Sequence, residues 1–148
     1  MSHTYSNLIA HCIYSTKDRA LLITPDFTDR LHAYMGGIFR EIDAIPLAIG
    51  GIDDHVHQLF VYPPRLSIAE IMRTVKSNSS GWVRENFNPD FHWQSNYTSL
   101  SVSESIVPEV KRYIAGQREH HKTMTFKEEL LQFLKRNNIP YDERYIWA

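Results

Sequence analysis

The chain has 148 residues, with 16 Lys and Arg against 17 Asp and Glu, and one cysteine, Cys12. That length suits a single domain over residues 1–148, whose core can bury roughly 70% of the unfolded surface. A lone thiol excludes an internal disulfide and a zinc cage of several thiolates. The polar start, Met1 to Ser6, and the lack of an apolar run of roughly 20 residues predict a cytoplasmic chain without signal peptide or membrane span. The near-zero net charge argues against a nucleic-acid coat protein, which would be basic throughout.

Leu8 to Tyr14 alternates, with Ile9, His11 and Ile13 on one side, and predicts a strand. Thr24, Pro25 and Asp26 read as a cap with Pro at the first helical position. Phe27, Leu31, Tyr34, Ile38 and Ile42 follow at helical spacing, through a weakening Gly36-Gly37 pair. Ala44 to Ile52 and His55 to Tyr62 are two β-branched, apolar runs around an Asp53-Asp54 turn, which predicts a hairpin. Ser67 and Glu70 form a capping box ahead of an amphipathic helix carrying Ile68, Ile71, Met72, Val75, Trp82 and Val83. His92 to Val102 reads as a third extended region. A helix beginning near Pro108 runs through Tyr113 and Gln117, and a second capping box, Thr125 with Glu128, opens a last helix. The tail, Ile139 to Ala148, holds three aromatics and packs back on the body. The order βαββαβ plus two helices predicts an α+β chain: a ferredoxin-like (RRM-like) antiparallel sheet with helices on one face and extra C-terminal helices. In that topology the first and third strands are central neighbours, which brings His11 beside His55 and His57.

His55 and His57 are two apart in a strand, so both imidazoles project from one face and could bind a metal together, given one or two further ligands. A bare His-x-His pair also occurs on half-exposed sheets with no metal. A metal-dependent amidohydrolase would need a barrel of about 250 residues, more than this chain holds. A metallo-β-lactamase-type site would want Asp and His just downstream, where Gln58, Leu59 and Phe60 stand. Tyr113 and Gln117, four apart, share one helix face. Tyr is a poor nucleophile at its free pKa of about 10 and needs activation.

In combination these pieces resemble the HUH single-tyrosine transposases, the small enzymes of minimal bacterial insertion sequences and their REP-associated relatives. The matching stretches are Asp54 to His57, Lys111 to Gln117, Val75 to Trp82, Trp93-Gln94 ahead of Tyr97, and Ser101 to Ser103. Glu119 to His121, Thr125 to Glu129 and Tyr141 to Tyr145 resemble one branch of that family. The resemblance implies that His55, His57 and Gln117 hold a divalent metal and that Tyr113 is the nucleophile. It implies attack on a phosphodiester of single-stranded DNA, a 5′-phosphotyrosine link, a free 3′-hydroxyl and later rejoining. It also implies a homodimer, in which the tyrosine helix of one subunit can complete the metal site of the other. The family uses Mg2+ or Mn2+. Imidazole-rich sites prefer softer metals, so Zn2+, Ni2+ or Co2+ could occupy the site in a crystal.

His121, four residues beyond Gln117, could be an alternative ligand, and His120 could face the same site. Gly116 beside Tyr113 is either a hinge or a packing concession. His11 could contact phosphate. Arg73, Lys76, Ser80 and Arg84 on one helix, with Lys17 and Arg19 after the first strand, could bind DNA phosphates, and the resemblance implies hairpin-containing single strands. Tyr97 could stack unpaired bases, whereas Trp93 reads as core. The competing reading is a non-catalytic nucleic-acid-binding module that uses the sheet face; a small-phosphoester hydrolase is a third.

Overall fold

A computed structural model describes residues 4–148; the first half of the polar Met1 to Ser6 stretch lies outside the described residues. Strands β1 (Leu8–Ser15), β2 (Ile45–Ile52), β3 (His55–Tyr62) and β4 (Thr98–Ser101) form one antiparallel sheet in the order β2-β3-β1-β4. Helices α1 (Thr28–Glu41) and α2 (Ile68–Asn86) complete a ferredoxin-like α+β core, followed by α3 (Val107–Ala115), α4 (Gln117–His120) and α5 (Phe126–Arg136). As the order of elements predicts, β1 and β3 are central and paired, with Ile13 opposite His57 and His11 opposite Leu59.

Alternation along the two central strands gives the sheet two different faces. Ala10, Cys12 and Tyr14 of β1 join Val56 and Phe60 of β3 in the largest apolar cluster, under α1 and α2. Fully burying side chains such as Phe39, Phe60, Leu31 and Ile71 contributes roughly 1.5–3 kcal/mol each. The opposite face presents Ile9, His11 and Ile13 with His55, His57 and Leu59. There the C-terminal helices form the cover: Val107 and Ile114 of α3 pack on Ile9 and Leu59, while Phe126, Leu130 and Leu134 of α5 pack on Ile13. The helices are therefore not confined to one face, and neither sheet face is left bare for a nucleic acid.

Three boundaries differ from the sequence reading. First, α1 starts at Thr28, because Thr24, Pro25 and Asp26 close a turn of their own, with Phe27 N–H and the Thr28 hydroxyl both donating to Thr24 O. Second, only Thr98–Ser101 of the region His92 to Val102 is strand. Before it the chain is held by side chains: Gln94 Oε1 accepts from Ser15 N–H (2.8 Å), and Lys76 Nζ donates to Ser95 O and Asn96 O. Third, the helix expected to run through Tyr113 and Gln117 breaks at Gly116, which caps α3 by donating to Arg112 O (3.0 Å). The two capping boxes form as predicted, Ser67 Oγ accepting from Glu70 N–H and Thr125 Oγ1 from Glu128 N–H.

Gly50 matters for where α3 sits. A Cβ there would lie 2.6 Å from Ile114 O, so only glycine lets α3 approach β2 this closely. The tail packs back as expected: Trp147 meets Phe126 and lies under the Arg19 guanidinium, and Gln94 Nε2 donates to Ile146 O and Ala148 O.

Candidate active site

The hairpin turn and β3 deliver His55 and His57 to the face covered by α3, α4 and α5, and both are fully buried. Around them the fold gathers Gln117 from α4, His121 just after it, Tyr113 from α3 and Glu129 from α5. His55 Nε2 lies 2.8 Å from Gln117 Oε1, and His121 Nε2 lies 2.9 Å from the same oxygen. His57 Nε2 lies 2.9 Å from Glu129 Oε1, which is also 3.3 Å from His121 Nε2 and 3.5 Å from His55 Nε2. The other carboxylate oxygen accepts from the Tyr113 hydroxyl and from Gln117 Nε2 (3.1 Å). The His120 ring nitrogen is 3.3 Å from the Tyr113 oxygen.

Outer partners orient the imidazoles. His55 Nδ1–H donates to Asp54 Oδ1 (2.7 Å), and His121 Nδ1–H donates to Met124 O (2.6 Å). The His57 Nδ1 pairs with His11 Nε2 at 2.8 Å. Ring packing fixes the planes: Phe126 stacks on His55 with centroids 4.0 Å apart, and Phe133 sets its edge against His11.

Burial depresses His57 to about 4, against the pull of Glu129, and depresses His11 to about 3 with help from the nearby His57. Burial opposes the ionised form of Glu129 too, but the hydrogen bonds from His121 and His57 outweigh it and hold the carboxyl well below its usual range. Burial likewise opposes a charged His121, yet the Glu129 hydrogen bond and charge leave it above its ordinary value. Tyr113 is pushed up by burial and then by Glu129, so its phenol is neutral when docked on the carboxylate.

The four residues singled out as the catalytic and metal set, His55, His57, Tyr113 and Gln117, are thus together, and His121 and His120 both face them. His11 is 3% exposed and spent on His57, so it offers nothing to a phosphate; it supports the imidazole instead. Arg73, Lys76 and Ser80 lie across the sheet, in a groove of about 410 Å³ shared with His92 and Tyr97. Lys76, brought down to about 8 by burial, is tied to the Ser95 and Asn96 carbonyls, and Arg84 donates to Phe91 O. Lys17 lines a recess of about 370 Å³ with His92 and Trp147, beside which Arg19 stacks. Trp93 is core, donating to Ser79 Oγ (3.0 Å). None of these basic residues joins the imidazole cluster.

Glu129 was not singled out from the sequence, although a signal was there. It falls among Phe126, Leu130, Phe133 and Leu134, inside the apolar stripe of its helix, and a carboxylate on a buried stripe requires partners. The donor set suits a divalent cation: His55, His121 and Glu129 alone bring three ligand atoms within 4.8 Å of one another. Imidazole, carboxylate and amide oxygen are ligands for such ions.

One face of the α+β sheet thus gathers three imidazoles, a carboxylate and an amide, with a phenol at their edge. The family model described as "Transposase IS200 like" matches residues 4–117, and the chain belongs to that family of single-tyrosine transposases. Among solved structures it is similar to a Deinococcus radiodurans R1 protein assigned as a transposase, at 23% identity and a TM-score of 0.65, over 79% of this chain and 95% of that one. It is also similar to a REP-associated tyrosine transposase bound to a REP hairpin, at 13% identity and a TM-score of 0.61, over 82% of this chain and 73% of that one. No protein with a curated description matches the chain. These likenesses establish the fold; His121 and Glu129 lie beyond the stretch that the family model matches.

Proposed function

We propose that this transposase is an HUH endonuclease that cleaves and rejoins single-stranded DNA with Tyr113 as its nucleophile and with a divalent metal. The carrying observation is the docking of the Tyr113 hydroxyl on Glu129, whose other oxygen touches His57, so phenol and imidazole pair share one carboxylate. The Tyr113 oxygen forms a bond to the phosphorus of a DNA phosphodiester while the bond to the 3′-oxygen breaks. The products are a 5′-phosphotyrosine and a 3′-hydroxyl, and the same exchange in reverse joins strands, with no nucleotide cofactor needed. His55, His57 and Gln117 would hold Mg2+ or Mn2+, which would supply positive charge to the phosphoryl oxygens. Asp54, His11 and the ring of Phe126 keep the imidazoles aimed, and α5 shields the cluster from water.

The chain works in this reading as one domain, residues 1–148, in the cytoplasm, on hairpin-bearing strands and as a homodimer. The REP hairpin held by a structurally similar transposase supports the choice of substrate. Arg73, Lys76, Ser80, Arg84, Lys17 and Arg19 are the candidate phosphate contacts away from the cluster. The competing binding module would need an open sheet face, and helices cover both faces. Among the described residues, no helix is long and apolar enough to cross a membrane.

The test is incubation with labelled single-stranded hairpin oligonucleotides and Mn2+, followed by denaturing electrophoresis. A covalent protein–DNA adduct is expected from the wild type and none from Tyr113→Phe. An adduct that persists in Tyr113→Phe rules out this nucleophile.

A further inference from the structure

The hydrogens around the cluster are already committed elsewhere. His55 and His121 each donate their Nδ1–H, to Asp54 and to Met124 O. A neutral imidazole has one N–H, so His55 Nε2 carries a bare lone pair, and His121 Nε2 carries one as well whenever that ring gives up the second proton it shares with Glu129. Gln117 donates its amide N–H to Glu129, which turns its Oε1 toward these two nitrogens, at 2.8 and 2.9 Å. Glu129 Oε1, an ionised acceptor, is 2.9 Å from His57 Nε2 and 3.3 Å from His121 Nε2. The His57 and His121 nitrogens can each donate to that carboxylate, but the His55 lone pair and Gln117 Oε1 face each other 2.8 Å apart in a buried site and repel unless a positive species sits between them.

Resting on the metal-dependent reading above, we infer that His121 and Glu129 are ligands of the same divalent cation as His55, His57 and Gln117. The site is then three imidazoles, one carboxylate and one amide oxygen, a set that selects a borderline transition-metal dication such as Co2+ or Zn2+ over Mg2+. Glu129 gives one oxygen to the cation and keeps the other on Tyr113, so the helix that closes the site also ties the nucleophile to the metal. The alternative is a plain His121–Glu129 ion pair that leaves the metal to the other three residues.

The experiment uses the full chain, stripped with chelator and without DNA, titrated with Co2+ at one fixed pH and followed by calorimetry. X-ray absorption of the Co2+-loaded wild type counts its imidazoles. Three imidazoles are expected, with Co2+ affinity lowered about 10-fold or more in both His121→Ala and Glu129→Gln, and with Mg2+ failing to displace Co2+. Two imidazoles, or an affinity within about twofold of wild type in either variant, overturns the assignment. Circular dichroism screens the variants for folding. A third imidazole that disappears from the Co2+ spectrum of His121→Ala, or of His121→Gln if the alanine variant does not fold, is His121 and not His120, and Glu129→Asp, which retracts the carboxylate by one methylene, replaces Glu129→Gln if the latter does not fold. Because no DNA is present, failure here leaves the Tyr113 adduct assay standing. A chain that binds Co2+ through five donors but forms no adduct would remove the nucleophile reading alone.

Discussion

Buried histidines define how this site responds to pH. In the chelator-treated chain, burial holds His57 at about 4 and His11 at about 3, both from an ordinary 6.5. Between those values and 6.5 the unfolded chain binds protons that the folded chain refuses, so folding becomes less favourable as pH falls through that window. Glu129, held below its usual range, works in the same direction. His121, raised by Glu129, works the other way, and its contribution is lost as pH rises through its folded value. The expected result is full stability near neutrality that declines in acid from about pH 6.5, by at most about 1.4 kcal/mol per pH unit for each titrating group. Urea unfolding of metal-free protein across that range measures it. A free energy of unfolding that stays flat from about pH 7 to about pH 4 would show that these imidazoles are not sheltered from protons.

At the scale of elements, the site depends on how closely α3 approaches β2. Gly50 makes that approach, since a Cβ would meet the Ile114 carbonyl at 2.6 Å and backbone cannot step aside cheaply. Gly50→Ala is expected to destabilise the chain by roughly 1–3 kcal/mol, the usual cost of overpacking, and to shift Tyr113 away from Glu129. Chemical denaturation gives the first number, and DNA adduct formation under conditions where the variant is folded gives the second. Wild-type stability and wild-type adduct yield together would mean that α3 can slide without penalty. α5 spends its apolar stripe on the sheet and on the imidazoles, so the proposed dimer would have to form elsewhere.

Across the whole molecule, the tail closes the structure over α5. Tyr141, Ile146 and Trp147 pack against Phe126, Leu130 and Leu134, and Gln94 grips the last carbonyls. Removing residues 139–148 would expose that cluster and leave Gln94 Nε2 without these acceptors. A loss of at least about 2 kcal/mol is expected, comparable to emptying one large side chain from a core. Thermal unfolding of the truncated chain checks this, and an unchanged midpoint would mean the tail is only draped on the surface. With net charge −1, the proposed DNA binding would rest on local basic groups, and a shallow salt dependence is the expected result of a binding titration across ionic strengths.

Strand alternation, the two capping boxes and the Asp53-Asp54 turn are local signals, and they sufficed for the order of elements, the central pairing of β1 with β3, and the shared face of His55 and His57. Tyr113 and Gln117 were legible because four residues make one helical turn, even though Gly116 breaks the helix between them. His121 was legible too, as an alternative ligand four residues beyond Gln117, with His120 beside it, whereas Glu129 became part of the site only through tertiary structure. Side chains 62 to 74 positions apart in the chain, such as His57 and Glu129, meet because α5 folds back across the sheet, and a helix's own periodicity does not encode which face of a distant strand it will cover. For the same reason the sequence suggested His11 as a phosphate contact, while the fold buries it as a support for His57. Short-range stereochemistry determined the scaffold and half of the cluster; long-range packing decided which charge sits at its centre.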